Sequence, residues 1–290
     1  MRQEHYTIKD FNRDFPTDDA CLEWLKNNRW PDGIYCKKCQ RITKHHKVSD
    51  RSAYACDFCG NHVYPMAGTI LEHSATPLRL WFHAMFLMAS TRCGISAKQL
   101  QRELGVTYKT AWRMFTQIRS MLGEDIMSLL QEVKVDETYI GGRKHGKRGR
   151  GAKGKTPVFG MAQRTGNVIA GIVPDVQAKT LVPIVKEKVL PSSIVYTDEF
   201  PSYDSLHRPG YKHRRVHYES KVYVVGDAHT NTIECFESLV KRGIDGVHHA
   251  VSAKYLQDYI NSYSFQWNHR EDSQSIFLQI LSRLVPSLNV

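Results

Sequence analysis

The sequence predicts a multidomain α+β protein built from a small cysteine-rich module, a helical region and an α/β domain. Three observations support this prediction. Four of the seven cysteines form two CxxC pairs near the N-terminus, residues 77–130 repeat apolar positions at helical spacing, and β-branched runs alternate with turns from Glu132 onwards. The length of 290 residues agrees with several domains, because single domains commonly contain ~100 to 200 residues.

The places where these patterns change divide the chain into five parts. A helix start signal, Pro16-Thr17-Asp18-Asp19, falls in the first part, and Trp30-Pro31-Asp32-Gly33 ends it. In chain order the parts are an N-terminal helical lead (1–33), the cysteine-rich module (34–76), the helical region (77–130), the α/β domain (131–275) and a C-terminal helix (276–290).

Composition and charge favour a folded intracellular protein that binds a polyanion. Hydrophobic residues make up 41% of the chain and charged residues 24%, which excludes wholesale disorder. No run of 18 apolar residues occurs and the N-terminus lacks an apolar signal region, so we expect a cytoplasmic location and no membrane partner. Lys and Arg outnumber Asp and Glu by 40 to 29, and the net charge of +11 favours nucleic acid as the partner.

The two cysteine pairs predict a structural zinc site. Sixteen residues separate the pairs, whose members are Cys36, Cys39, Cys56 and Cys59. In a reducing compartment this spacing favours four thiolates around one tetrahedral Zn²⁺ over disulfides or a redox dithiol. The result is a zinc ribbon, in which four residues are expected to form a small three-stranded sheet: Ile42, Val48, Tyr54 and Phe58. The other three cysteines are expected to be buried and to bind no metal: Cys21, Cys93 and Cys235.

Residues 96–115 predict a helix-turn-helix. Two amphipathic helices flank a turn at Gly105, and Thr107 is suited to cap the second helix. In such a pair the second helix enters the DNA major groove, with its N-terminal side chains on the base edges. The candidate base-reading residues are Thr107, Tyr108, Lys109 and Arg113. An ordinary helical hairpin is the alternative interpretation.

A strongly basic segment, residues 141–155, interrupts the α/β domain between its first two predicted strands. Its sequence, GGRKHGKRGRGAKGK, contains one apolar residue and predicts a flexible loop that contacts DNA phosphates. The candidate phosphate contacts are Arg143, Lys144, Lys147, Arg148, Arg150, Lys153 and Lys155.

Three acidic residues are spaced as a two-metal site requires. Asp136 and Asp198 are expected at the ends of two strands and Glu234 on a helix, with 61 and 35 residues between successive members. Carboxylates at adjoining strand ends, with a third on a helix crossing that edge, can hold two Mg²⁺ or Mn²⁺ ions ~3.5 to 4 Å apart. Taken singly, each aspartate could instead cap a turn. The neighbouring Glu137 and Glu199 are expected on the surface, because side chains alternate along a strand.

The helix that carries Glu234 contributes further candidates. Asn231 and Asp227 are alternatives for the third metal ligand, and Asn231 lies one turn before Glu234 on the same face. Lys241 lies two turns beyond Glu234, where its ammonium is placed to bind a DNA phosphate.

These motifs together resemble the bacterial insertion-sequence transposases of the ISXO type, which join an N-terminal zinc ribbon to a DDE domain and are related to the Merlin elements. The resemblance covers nearly the whole chain and is carried by CKKC, CDFC, VDETYIGGR, YTDEFPSY, HTNTIECFESLVKRGIDGVHH and YINSYSFQWNHR. One departure is Cys235-Phe236-Glu237, where relatives often have a small residue followed by an aromatic pair. We expect it to affect packing rather than chemistry.

The resemblance implies an RNase H-like fold with Asp136, Asp198 and Glu234 as the catalytic triad. Some members of the group use asparagine at the third position, which keeps Asn231 as its alternative. The implied activity is metal-dependent hydrolysis at the terminal inverted repeats of an insertion element, followed by transfer of the freed 3′-hydroxyl to target DNA. A homodimer in the synaptic complex and association with the bacterial nucleoid are implied as well. Two other functions share these motifs: an RNase H-like nuclease or resolvase without strand transfer, and a non-enzymatic DNA-binding regulator.

Overall fold

The computed structural model describes most of the chain and divides it into two compact units. It describes residues 6–123, 128–141, 154–164, 166–198, 200–207, 211–215, 224–225, 228–229 and 231–285. The first unit contains the described residues of 1–91, 95–121 and 271–290, and the second contains those of 92–94 and 122–270. No helix in these described segments is both long and apolar enough to cross a membrane.

The first unit begins with two short helices, α1 (Ile8–Asp14) and α2 (Asp18–Arg29). Each helix starts at a threonine whose side chain accepts a backbone N–H of the first turn: Thr7 from Asp10, and Thr17 from Ala20. Such caps satisfy amide groups that have no partner inside the helix. The cap at Thr17 lies within the start signal that the sequence contains.

Five short strands follow and form two small antiparallel sheets. Their bounds are β1 (Ile34–Cys36), β2 (Arg41–Thr43), β3 (His45–Lys47), β4 (Tyr54–Cys56) and β5 (His62–Val63). Strand β1 pairs with β2, while β4 pairs with both β3 and β5. The small three-stranded sheet expected for this region is therefore present as β3-β4-β5, and β1 and β2 form a separate pair. Of the four residues expected in it, only Tyr54 lies in this sheet: Ile42 belongs to β2, and Val48 and Phe58 lie outside the strands.

Helices complete the first unit. They are α3 (Leu78–Ser90), α4 (Ala97–Leu104), α5 (Tyr108–Ser120) and, near the C-terminus, α9 (Ile276–Ser282). Helix α9 packs against α3, and Phe277 of α9 contacts the rings of Phe11 and Phe86. The end of the chain therefore contributes to the same aromatic core as its beginning.

The second unit contains a mixed five-stranded sheet. Its strands are β6 (Glu132–Ile140), β7 (Thr156–Gln163), β8 (Val168–Ile172), β9 (Ile194–Thr197) and β10 (Lys212–Arg215). The order across the sheet is β10-β9-β6-β7-β8. Strands β6, β7 and β8 form an antiparallel meander, whereas β9 runs parallel to both β6 and β10. The longest strand, β6, thus lies at the centre, where the antiparallel and parallel halves meet. Two further short strands, β11 (Val224–Val225) and β12 (Ala228–His229), pair with each other.

Helices cover both faces of this sheet. On one face, α6 (Ala178–Lys188) and a 3₁₀ helix (Pro201–His207) enclose a core that includes Val133 and Val135 of β6. On the opposite face, α7 (Asn231–Gly243) and α8 (Ala253–Asn268) enclose a second core that includes Ile140. Side chains alternate along β6, so Lys134, Asp136 and Thr138 belong to the face that α7 covers.

Candidate functional site

The four CxxC cysteines converge on one point, as their spacing predicts. Their sulfur atoms all lie within 4.8 Å of one another. Cys36 Sγ is 3.5 Å from Cys59 Sγ, and Cys39 Sγ is 3.9 Å from Cys56 Sγ. A tetrahedral zinc with Zn–S bonds of ~2.3 Å requires sulfur separations of about 3.8 Å, so the four thiolates fit Zn²⁺.

Neighbouring groups favour the thiolate form of Cys56, whereas the hydrogen bond with Cys59 raises the pKa of Cys39 to about 12. The Thr43 hydroxyl lies 3.2 Å from Cys56 Sγ and lowers the pKa of that thiol to about 6. A lowered pKa favours the thiolate, which is the form that binds metal. Of the cysteines outside the cluster, Cys21 is buried as expected, but Cys93 and Cys235 are exposed. The expectation that all three would be buried was wrong for those two.

The two aspartates of the predicted acidic site lie on neighbouring strands. Asp136 is the fifth of the nine residues of β6, in the middle of the strand rather than at its end as expected, and it pairs with Gly160 of β7. Asp198 directly follows β9. The parallel pairing of β6 with β9 ends at Lys134 and Tyr196, and each aspartate lies two residues further along its strand. The two aspartates therefore occupy equivalent positions relative to the end of the β6–β9 pairing.

Each aspartate also accepts a backbone hydrogen bond. The N–H of Glu137 donates to Asp136 Oδ1 and the N–H of Phe200 donates to Asp198 Oδ1, both at 2.9 Å. Asp198 thus caps a turn, which was its alternative interpretation. Burial, reinforced by the negative charge of Glu237, raises the pKa of Asp136 to about 7. A divalent cation bound beside Asp136 would favour the charged form of this carboxyl.

Helix α7 brings Glu234 to the same face of the sheet. The close approach depends on Gly160, because a Cβ atom at that position would lie 2.8 Å from Cδ1 of the buried Ile233. Glu234 lies in the first turn of α7, and its Oε1 accepts a 2.7 Å hydrogen bond from Lys134 Nζ. In this arrangement a lysine ammonium, rather than an aspartate, is the direct neighbour of the third acid.

The structure therefore brings the acidic residues to one face without closing them into a tight cluster. Across the described part of the chain, only the four cysteines form a group of three or more metal-ligand side chains within 4.8 Å of one another. Asn231 begins α7, but the structure does not describe its side chain. Asp227 and Glu199 lie outside the described residues.

Two charged residues on this face were missed from the sequence. Lys134 is 8% exposed. The sequence feature that could have predicted its burial is a lysine at a core-facing position of an apolar strand. Glu237 follows Glu234 by three residues on α7, and burial raises the pKa of its carboxyl. Its Oε1 is buried without a hydrogen-bond partner among the described residues, while Lys241 Nζ lies 3.4 Å from its Oε2. Lys241 is exposed and lies on the helix where the sequence places it. Its neighbour is Glu237, which belongs to the Cys235-Phe236-Glu237 departure that was expected to affect packing only.

Glu137 is buried, which corrects the expectation that it lies on the surface. Its side chain points to the other face of β6, as alternation predicts, but α6 and the 3₁₀ helix cover that face. There it accepts a 2.6 Å hydrogen bond from the hydroxyl of the fully buried Tyr203. The error arose because strand alternation gives the direction of a side chain and not what covers it.

The second helix of the predicted helix-turn-helix begins where the sequence places it. Gly105 adopts a left-handed conformation (φ 64°) after α4, and the Thr107 side chain caps α5 by accepting the N–H of Thr110. Thr107, Tyr108 and Lys109 are exposed at the start of α5. Arg113 is also exposed, and its guanidinium donates to the hydroxyls of two residues just before α3: Ser74 (3.2 Å) and Thr76 (2.9 Å).

The candidate phosphate contacts of the basic loop lie almost entirely outside the described residues. This holds for Arg143, Lys144, Lys147, Arg148, Arg150 and Lys153. Lys155, the last of the set, is described and is partly exposed.

Models of known protein families match both the cysteine-rich region and the α/β domain of this chain. The ISXO2-like transposase domain model matches residues 128–268, and the transposase zinc-ribbon domain model matches residues 16–62. The first match spans both aspartates and Glu234, and the second spans all four clustered cysteines.

Two curated relatives agree with these matches. An uncharacterized protein in the transposable element ISH50 of Halobacterium salinarum is 29% identical over 272 residues, covering 87% of this chain and 91% of the relative. An uncharacterized transposase-like protein of Haemophilus influenzae is 33% identical over 114 residues, covering 39% of this chain and 89% of the relative. Among solved structures, a simian T-cell lymphotropic virus intasome chain aligns over 71% of this chain and 76% of its own length, at 12% identity and a TM-score of 0.32. That TM-score is too low to support a conclusion.

Proposed function

This chain belongs to the insertion-sequence transposases that combine a transposase zinc ribbon with an ISXO2-like domain, and from that premise we propose its activity, its substrate and its catalytic residues. The protein binds the ends of its own insertion element and cuts them. It then joins the freed ends to target DNA.

The observation that carries this proposal is that Asp136 lies on β6 and Asp198 directly follows the adjacent strand β9, with Glu234 on the helix that covers the face of Asp136. The meander of three antiparallel strands followed by two parallel strands supports an RNase H-like catalytic domain. We assign Asp136, Asp198 and Glu234 as the metal-binding catalytic residues. Carboxylate oxygens are the ligands that Mg²⁺ and Mn²⁺ prefer.

The reaction proceeds in two displacements at phosphorus. Water attacks a phosphodiester at the element end, the P–O3′ bond breaks, and the 3′-oxygen leaves as a hydroxyl. That 3′-hydroxyl then attacks a target phosphodiester, so one P–O bond forms as another breaks. Asp136, Asp198 and Glu234 would hold two divalent cations, which would activate the attacking oxygen and stabilise the leaving oxygen. Lys241 and the basic loop would bind the flanking phosphates.

DNA recognition belongs to the first unit in this proposal. Thr107, Tyr108 and Lys109, exposed at the start of α5, are placed as base-reading residues of a recognition helix. Arg113 lies one helical turn after Lys109, and its guanidinium donates to the hydroxyls of Ser74 and Thr76. The zinc ribbon has a structural role, and a homodimer would hold two element ends together for coordinated cutting.

The test is a cleavage and joining assay with DNA that carries the element's own ends, in the presence of Mg²⁺. We expect the wild-type protein to cut and to join, and Asp136→Asn to do neither, because loss of a metal ligand removes the activating cation. Glu187→Gln, an exposed acid on α6, is the matched control and should react like the wild type. Cleavage without joining would identify a nuclease or resolvase, and binding without cleavage would identify a regulator.

A further inference from the structure

On the face of the sheet that α7 covers, the catalytic assignment leaves one feature unexplained, which is the pairing of Lys134 with Glu234. The Lys134 side chain is 9% exposed, and its ammonium lies 2.7 Å from Glu234 Oε1. Glu234 is 45% exposed, so the bond links a buried cation to an acid at the edge of the site. A buried ammonium is stable only with such a partner, because transfer of a lone charge out of water is strongly unfavourable.

Two further acids of the site lie near Lys134. Asp136 lies two residues further along β6 on the same face, and Glu237 lies one turn beyond Glu234 on α7. The charge of Glu237 acts unfavourably on ionised Asp136, while the charge of Lys134 acts favourably on both carboxylates. Lys134 therefore supplies positive charge among the carboxylates to which the proposed function assigns the divalent cations.

We propose that Lys134 is a built-in counter-cation of the acidic site, which holds Glu234 in the metal-free protein and is displaced from that carboxylate when a divalent cation binds. The inference rests on the proposed function, because it takes Glu234 as a metal ligand. Two observations support a cation replacing Lys134 at the Glu234 carboxylate, rather than both binding to it at once. Glu234 Oε1 is within hydrogen-bond distance of Lys134 Nζ, and Lys134 is buried on the face of β6 that also carries Asp136.

The exchange has a direct electrostatic consequence. A lysine ammonium close to the metal position repels a divalent cation and also competes for the carboxylate oxygen that the cation needs. Removing the positive charge should therefore strengthen metal binding, by about tenfold or more at the effective dielectric constant of a partly buried site. A residue that only supported the fold would, when replaced, leave metal affinity unchanged or weaken it.

The test is titration of the full-length, zinc-loaded protein with Mn²⁺, with free Mn²⁺ followed by electron paramagnetic resonance. Lys134→Met should bind Mn²⁺ at least about tenfold more tightly than the wild type. Lys134→Arg keeps the charge and should bind as the wild type does. Lys186→Met, at an exposed position on α6, is the matched control for a lysine replacement elsewhere and should also behave as the wild type. If Lys134→Met does not fold, Lys134→Gln replaces it with the same expectation.

A second pair of variants tests the exchange itself. In a Glu234→Gln background the carboxylate that Lys134 holds is absent, so adding Lys134→Met should tighten Mn²⁺ binding much less than it does with Glu234 present. Equal tightening in both backgrounds would show a general effect of charge and would overturn the exchange.

Asp136→Asn separates failure of this inference from failure of the proposed function. If the wild type and Asp136→Asn bind Mn²⁺ identically, there is no metal site at Asp136 and the proposed function fails. If Asp136→Asn loses the site but Lys134→Met binds no more tightly than the wild type, the proposed function stands and Lys134 is not a counter-cation.

Discussion

Strand β6 carries buried charged side chains on both of its faces, and each has a specific partner. Lys134 pairs with Glu234 on the face covered by α7, while Glu137 accepts from Tyr203 on the opposite face. A carboxylate removed from water needs such donors, because an unsatisfied buried charge destabilises the fold. Burial, together with the negative charge of Glu137, raises the pKa of Tyr203 far above its ordinary value, so its hydroxyl remains a donor at neutral pH.

The Tyr203 bond should contribute more to stability than a comparable bond to a neutral acceptor. We predict that Tyr203→Phe lowers the free energy of unfolding by about 1.5 to 3 kcal/mol, because the acceptor is a carboxylate. Tyr211→Phe is the matched control, since the Tyr211 hydroxyl donates to the backbone oxygen of Val189 in the same core, and it should cost only about 0.5 to 1.5 kcal/mol. Denaturant unfolding of both variants measures the difference. Equal costs would show that the charge of Glu137 does not strengthen the bond.

At the level of elements, the packing of α7 on the central strands positions the acidic site. Helix α7 contacts both β6 and β7. Its closest approach is at Gly160, the residue that pairs with Asp136, where the absence of a side chain makes room for Ile233. A glycine inside a strand weakens the strand, but here it lets the helix that carries Glu234 lie close to Asp136.

Gly160→Ala should therefore disturb α7 more than the strand. We predict a loss of about 1 to 3 kcal/mol in the free energy of unfolding, because the new methyl group overpacks against Ile233. Ile233→Val removes the Cδ1 atom in question and by itself should cost about 0.5 to 1.5 kcal/mol. The double variant should lose clearly less than the sum of the two single losses, as measured by denaturant unfolding. Additive losses would mean that Gly160 does not determine how closely α7 packs against β7.

At the level of the whole molecule, the excess of basic residues matches a DNA-binding function distributed over both units. The net charge is +11, and the proposed DNA contacts range from the start of α5 in the first unit to Lys241 in the second. Charge neutralisation on DNA releases counterions, so binding that uses many phosphate contacts depends strongly on salt.

We predict that the logarithm of the DNA-binding constant falls steeply and linearly with the logarithm of the salt concentration. Each phosphate contact contributes about 0.9 to the slope for double-stranded DNA, so Lys241→Gln should reduce the slope by about one. Lys186→Gln, which removes an exposed lysine from α6, should leave the slope unchanged. Fluorescence anisotropy with a labelled element end at several salt concentrations measures both. An affinity that does not change with salt would contradict the phosphate contacts.

Several parts of the structure could be predicted from short stretches of sequence. Each CxxC turn follows from its own spacing, because the chain between the two cysteines of a pair is too short to place them far apart. The caps at Thr17 and Thr107 follow because a cap depends on residues within one helical turn. The positions of Asp198 after β9 and of Glu234 in α7 follow from local apolar periodicity in the same way.

Other parts depend on contacts between residues that are far apart in the chain. Lys134 and Glu234 are separated by 100 positions, and Glu137 and Tyr203 by 66. Periodicity assigned Glu137 to the correct face of β6, but its burial depends on α6 and the 3₁₀ helix, which come later in the chain. The exposure of Cys93 and Cys235 could not be predicted for the same reason, since a small apolar side chain can lie in a core or at its edge.

The sequence by itself determined the two cysteine pairs, the helix starts and the residue types of the acidic site, because each depends on neighbours within a few positions. Only the tertiary structure decided that Asp136 lies in the middle of the central strand, that this strand pairs with the strand preceding Asp198, and that Lys134 donates a hydrogen bond to Glu234. Strand order and helix packing set those relations. They result from burying the apolar residues of the whole unit, which no local pattern can specify.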